Sequence, residues 1–155
     1  MTRPRTASLK LDAFLPYRLS VAANVVSQRV ARVYAEQHGL STQEWRLIAV
    51  LGEDGERTQL ELVKRTRMDK VSVSRAARSL EARGLVRRAT SQSDARSRRL
   101  SLNAAGRRIY ERVAPAALDA EAEVLAGLNV SERALLRSLL ERVERAATEA
   151  LGRDP

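Results

Sequence analysis

The sequence predicts a mainly α-helical fold with one small β-hairpin, and three observations predict it. Long amphipathic stripes occupy both ends of the chain. Two capping boxes open short helices in the middle, and a glycine stop at Gly84 is followed by two short basic strands around a polar tip.

Leu15, Leu19, Ala22, Val26, Val30 and Val33 recur at spacings of four and three, so they paint one stripe on a helix from about Asp12 to Gln37, ended by Gly39. Ser41 with Glu44 forms a capping box that opens a second helix, Thr42 to about Gly52, and Glu53-Asp54-Gly55-Glu56 is a turn. Thr58 with Glu61 opens a third helix, to about Arg67. Asp69 caps a fourth, whose apolar face Val73, Ala77 and Leu80 leaves Lys70, Ser72, Ser74, Arg75 and Arg78 outside.

After Gly84, the segments Leu85 to Ala89 and Arg99 to Leu102 pair across the polar stretch Thr90 to Arg98. Asn103 caps a helix from Ala104 that is interrupted or kinked at Pro115, and Ser131 caps a last helix striped by Leu136, Leu140, Val143, Ala147 and Leu151. The whole is a winged helix-turn-helix within one domain, 1–155. Residues 1–10 form a flexible arm, 41–102 the reader, and 11–38 with 104–151 a dimerisation region. The terminal stripes bury each other most economically across a twofold axis, giving a homodimer, with packing onto the same chain as the alternative.

The net charge of +9 is concentrated. Residues 63–112 carry 15 basic and four acidic side chains, and the remainder is slightly acidic. Such a patch is an electrostatic footprint for a polyanion. Only 3% of the chain is aromatic, which argues against the stacking platforms of single-strand binders and favours duplex DNA.

Other classes are excluded by composition. With no cysteine there is no disulfide, zinc finger or thiol sensor, and the single histidine, His38, leaves little acid–base chemistry. No nucleophile–base pair, glycine-rich phosphate loop or paired carboxylate suggests an enzyme, and no metal or cofactor is expected. No signal peptide or apolar run of membrane-spanning length is present, so a cytoplasmic protein without membrane contact is expected.

The chain resembles the MarR/SlyA family of bacterial transcription regulators over nearly its whole length. The most specific part is the wing, where Asp94-x-Arg96, Leu100-x-Leu102 and Ala104-Ala105-Gly106 parallel the family's D-x-R…L-x-L-T-x-x-G signature, with Asn103 in place of the usual Thr. Leu40 to Arg46 resembles the opening of the family's second helix. Val73-Ser74-Arg75 and Leu80-Glu81-x-x-Gly84-Leu85-Val86 resemble its recognition helix and first wing strand. The resemblance implies an obligate homodimer on a pseudo-palindromic operator, a repressor released when a small ligand enters a cleft between reader and dimer region.

Within that frame Arg96 is the candidate for minor-groove insertion, with Asp94 holding its guanidinium, and Arg87, Arg88, Arg98 and Arg99 are candidates for phosphate contact. Arg75 and Ser72 are the best candidates for base edges. Lys70, Ser74 and Arg78 divide between bases and backbone, and Ser72 or Ser74 alternatively caps the helix. Trp45 is either core or ligand wall. Arg46, the one charge between Trp45 and Leu51, either anchors an anionic, aromatic or other organic effector or snorkels to solvent. Arg18, Gln28 and His38 are weaker pocket candidates. An architectural DNA-binding protein without a ligand is the rival function.

Overall fold

The computed structural model describes residues 9–90 and 98–152. The chain divides into two compact units, Met1–Ala120 and Glu121–Pro155. The expected flexible arm thus lies almost wholly outside the described residues.

In the first unit a short 3-10 turn, Leu11–Ala13, precedes α1, Leu15–His38. The helix therefore begins three residues later than the periodicity places it, because Phe14 is extended and acts as N-cap. Pro16 sits in the first turn, where no amide partner is required. Gly39 closes α1 in the left-handed region at φ 57°.

The next helices are α2, Thr42–Glu53, α3, Gln59–Thr66, and α4, Lys70–Ala82. Both predicted capping boxes are formed in full. Ser41 and Thr58 accept from the amides of Glu44 and Glu61, whose carboxylates accept in return from the two cap amides. At the end of α4, Leu85 N–H donates to the Leu80 carbonyl and Gly84 N–H to that of Glu81. Gly84 takes φ 65°, a conformation that favours glycine.

The sheet has three strands, not two. Residues Arg57–Thr58 form β1, a two-residue strand against the outer edge of β3, Arg98–Leu102, which pairs on its other side with β2, Val86–Thr90. In register, Arg57 faces Leu100, and Val86 faces Leu102. A two-residue strand leaves no alternation to read, so the sequence shows only a turn there.

From Asn103, α5 runs over Ala104–Val124 and is continuous through Pro115. Gly106, in its first turn, is pressed against the backbone carbonyl of Leu85, where a Cβ would collide. This explains the glycine of the wing signature.

The core gathers Tyr34 from α1, Leu47, Ile48 and Leu51 from α2, Leu62 from α3, Val73, Ala77 and Leu80 from α4, Leu100 from β3 and Val113 from α5. Each of the Leu, Ile and Val side chains contributes about 1.5–3 kcal/mol on burial. The α1 stripe divides in two. Val30 and Val33 pack against the core, whereas Leu15, Leu19 and Val26 stay exposed.

The second unit holds α6, Val130–Leu151. Its cap is Asn129, not Ser131: Asn129 accepts from Glu132 N–H and Glu132 returns the bond to the Asn129 amide. Asn caps as well as Ser does, and only Asn129 has a glutamate three residues on in the right frame. No residue of α6 is buried, and Leu136, Leu139, Leu140 and Val143 form an uncovered apolar stripe.

Candidate nucleic-acid interface

The spacing of α4 turns one face to the core and another to solvent. Val73, Ala76, Ala77 and Leu80 are buried, while Lys70, Val71, Arg75 and Arg78 are exposed and Ser74 is half-buried. Val71, Ser74, Arg75 and Arg78 follow i, i+3, i+4, i+7, so they make one outward stripe. Val71, which is not among the residues singled out from the sequence, is 64% exposed.

Asp69 anchors the start of this helix. Its carboxylate accepts from the Ser72 hydroxyl at 2.6 Å and the Ser72 amide at 2.8 Å, and these two bonds hold the Asp69 carboxyl below its usual range. The Ser72 hydroxyl proton is therefore engaged in the cap. Before it, Arg67 takes a left-handed φ of 56°. Thr66 Oγ1 donates to the Leu62 carbonyl and accepts from the Met68 amide, fixing the turn between α3 and α4.

The ribbon arginines are not equivalent. Arg99 donates to Glu56 at 2.9 Å and to the Glu56 carbonyl, with Glu61 at 3.9 Å, and Arg88 pairs with Glu81 at 2.8 Å. These pairs tie β3 to the approach to β1 and β2 to the end of α4. Arg87 is exposed and donates to the Ser101 hydroxyl. The Glu61 carboxyl lies below its usual range, chiefly through the Thr58 amide and hydroxyl. Asp94 and Arg96 fall outside the described residues, and of Arg98 only the backbone, in β3, is described.

Behind the stripe, Glu44 links two helices. Besides its own cap amide it accepts from the Ser79 hydroxyl of α4 at 2.6 Å and from Arg83 at 3.4 Å, while Arg83 also donates to the carbonyls of His38 and Gly39. Burial pushes the Glu44 carboxyl up. The bonds from Ser79 and Ser41 and the Arg83 charge outweigh it, so the net shift is downward. An open groove of about 330 Å³ runs between Gln43, Glu44, Ser72 and Arg75.

Three of the chain's five aromatic residues converge. Trp45, half-buried on α2, stacks on Tyr34 at 5.6 Å and on Tyr110 of α5 at 6.4 Å. Gly52 lies flat against the Tyr110 ring, and Arg107 caps the same ring while donating to the Gly52 carbonyl. Arg46 is exposed on α2, whereas Leu47, Ile48 and Leu51, turned about 100–200° away around the helix, are buried. Arg18 and Gln28 are exposed on α1. His38 faces another cleft, lined by Leu85, Ala105, Arg108, Ile109 and Arg112.

Among the described residues no group of three or more His, Cys, Asp or Glu could hold a metal ion, and no helix is long and apolar enough to cross a membrane. A helix-turn-helix, α3 and α4, followed by a braced three-stranded wing defines a winged-helix DNA-binding protein.

The MarR family profile matches residues 38–97. A probable transcriptional regulator from Pseudomonas aeruginosa is 32% identical over 86% of this chain and 99% of that one, with a TM-score of 0.72. A MarR/EmrR family transcriptional regulator from Acinetobacter sp. ADP1 superposes with a TM-score of 0.84 at 22% identity, covering 91% and 99% of the two chains. BpsR of Bordetella bronchiseptica, whose DNA binding is regulated by 6-hydroxynicotinic acid, reaches 0.81 at 21% identity over 89% and 98%. The chain belongs to the MarR family and is a transcriptional regulator.

Proposed function

We propose that the protein is a homodimeric repressor that holds a pseudo-palindromic operator and releases it on binding a small organic anion. The carrying observation is the outward stripe of α4, in which Val71, Arg75 and Arg78 are exposed and Ser74 half-buried beside a basic ribbon. Arg75 and Val71 are the base readers in this proposal. Arginine's fork fits the guanine O6/N7 edge, and an exposed valine fits a thymine methyl. Lys70, Ser74, Arg78 and Arg87 contact phosphates, and Ser72 serves the cap with a lone pair left for DNA. Arg88 and Arg99, already paired with Glu81 and Glu56, orient the wing; Arg98 is a further phosphate contact, and Arg96, held by Asp94, is the residue proposed for the minor groove.

The exposed apolar residues of α1 and α6 supply the dimer contact, setting two recognition helices about 34–36 Å apart. The effector lies by the Tyr34, Trp45 and Tyr110 stack, with Trp45 covering its apolar body and Arg46 swinging from the surface to pair its charge; Arg18 and Gln28 are the further polar contacts. Regulation of BpsR by an aromatic acid supports that ligand class. Ligand then favours a dimer geometry that no longer fits successive grooves, a coupling of about 1–3 kcal/mol.

Footprinting over the gene's own upstream region at two salt concentrations, with and without 6-hydroxynicotinic acid and related aromatic acids, tests the reading. A discrete protected palindrome, cleared by an acid in the parent but retained in Arg46→Ala, is expected. Salt-sensitive coverage without a discrete site would overturn it.

A further inference from the structure

Arg83 stands at the end of the recognition helix and reaches back to the junction of α1 and α2. Its own amide donates to the Ser79 carbonyl at 3.0 Å, so its backbone is bound to the last turn of α4. Its guanidinium donates to the His38 carbonyl at 2.6 Å, to the Gly39 carbonyl at 3.2 Å and to the Glu44 carboxylate at 3.4 Å. These acceptors are the terminal carbonyls of α1, at the negative end of its dipole, and the capping carboxylate of α2. The anchor is firm. Leu40 is buried, its amide donates to the Tyr34 carbonyl, and the Tyr34 hydroxyl donates to Thr42. Arg83 belongs to the basic run of residues 63–112, yet its charge is engaged by oxygens of the protein itself.

Two kinds of force hold α4. On the core side Val73, Ala77 and Leu80 press it down by burial, which has no direction. The side turned toward the start of α2 carries Ser72, Ala76, Ser79 and Arg83, at spacings of four, three and four. The first three are small, and a groove of about 330 Å³ stays open between them and Gln43. Directional bonds act on this side instead: Ser79 to Glu44 at 2.6 Å, and the fork of Arg83.

We propose that Arg83 is a positioning residue for sequence reading: by clamping the end of α4 to the junction of α1 and α2, it fixes the tilt at which Arg75 meets the bases. The proposal rests on the reading of α4 as the base-reading helix. Asp69 pins the other end of α4 through Ser72. Arg75 lies about 9 Å along the axis from Asp69, so a swing of about 6° at a freed end moves it by about 1 Å. A displacement of that size takes a bidentate contact out of hydrogen-bond range. Phosphate contacts made by long, flexible side chains follow such a shift, so discrimination is lost while general affinity is kept.

The test uses a duplex selected from a random pool by the parent protein, compared with a shuffled duplex of the same composition over a salt series. Arg83→Gln should lower the ratio of the two affinities about tenfold or more, with the salt slope on the shuffled duplex unchanged. Arg83→Lys keeps the charge but has no fork to span two carbonyls, and should lower the ratio similarly. Stability does not move this ratio, because unfolded protein depresses both affinities equally. The inference is overturned by an unaltered ratio in Arg83→Gln, by full discrimination in Arg83→Lys, or by a salt slope smaller by about one, which makes Arg83 a phosphate contact. A parent protein that selects no sequence overturns the reading of α4 and the inference with it, and does so before any variant is made.

Discussion

Glu44→Ala tests the link between the second helix and the recognition helix. Glu44 is 7% exposed, and its carboxylate accepts from Ser41 N–H at 2.7 Å, from the Ser79 hydroxyl at 2.6 Å and more weakly from Arg83. A hydrogen bond to a charged group is worth about 1.5–3 kcal/mol, and the reciprocal half of a capping box adds about 1 kcal/mol. Water can reach the exposed Ser41 amide and recover part of this, so the truncation should cost about 3 kcal/mol. At this chain length that lowers Tm by about 6–12 °C. Glu44→Gln keeps an acceptor but loses the charge, and should cost about half as much.

Urea unfolding of Glu44→Ala, Ser79→Ala and the double variant isolates the pair, with a coupling of about 1–2 kcal/mol expected. The sign of the pH dependence follows from the lowered carboxyl. A depressed folded-state pKa stabilises above the unfolded value, about 4.3 for glutamate, and that stability is lost as pH falls through the folded value. The gap between parent and Glu44→Gln should be flat from neutral pH down to about 5 and close below about 4. A Glu44→Ala protein within about 0.5 kcal/mol of the parent would refute the reasoning.

Val71→Ala should lose the preference for thymine over deoxyuridine at one operator position in each half-site, measured by gel shift; equal loss on both duplexes would make Val71 a bystander. Gly106→Ala should destabilise by about 1–3 kcal/mol in chemical unfolding, since the added methyl meets the unyielding Leu85 carbonyl. Stabilisation, the ordinary result of Gly→Ala in a helix, would contradict that close approach. Leu136→Glu with Leu140→Glu should leave a folded monomer with far weaker operator binding, seen by light scattering; a persisting dimer would show that α6 is not the interface.

The parts legible in the sequence are those built from chemistry within one helical turn. Ser41 with Glu44, Thr58 with Glu61, Asp69 and Gly84 each act on amides and carbonyls a few residues away, so spacing alone locates them. The faces of α4 follow in the same way from a period of 3.6 residues. Where two local signals compete, as at Asn129 and Ser131, the reading slips by a cap.

Tertiary structure decided how the basic residues divide their work. Arg88 and Arg99 look like Arg87 in the sequence, yet packing brings them to Glu81 and Glu56, whereas exposed Arg87 meets the Ser101 hydroxyl. It likewise brought Arg83 to Gly39, 44 residues away, and Arg107 to Gly52, 55 away. Periodicity determines which side of a helix is apolar because that depends on the helix alone. Which distant group a polar side chain meets depends on how helices are stacked, and so the gathering of Tyr34, Trp45 and Tyr110, and of His38 with Arg108 and Arg112, exists only in the folded chain.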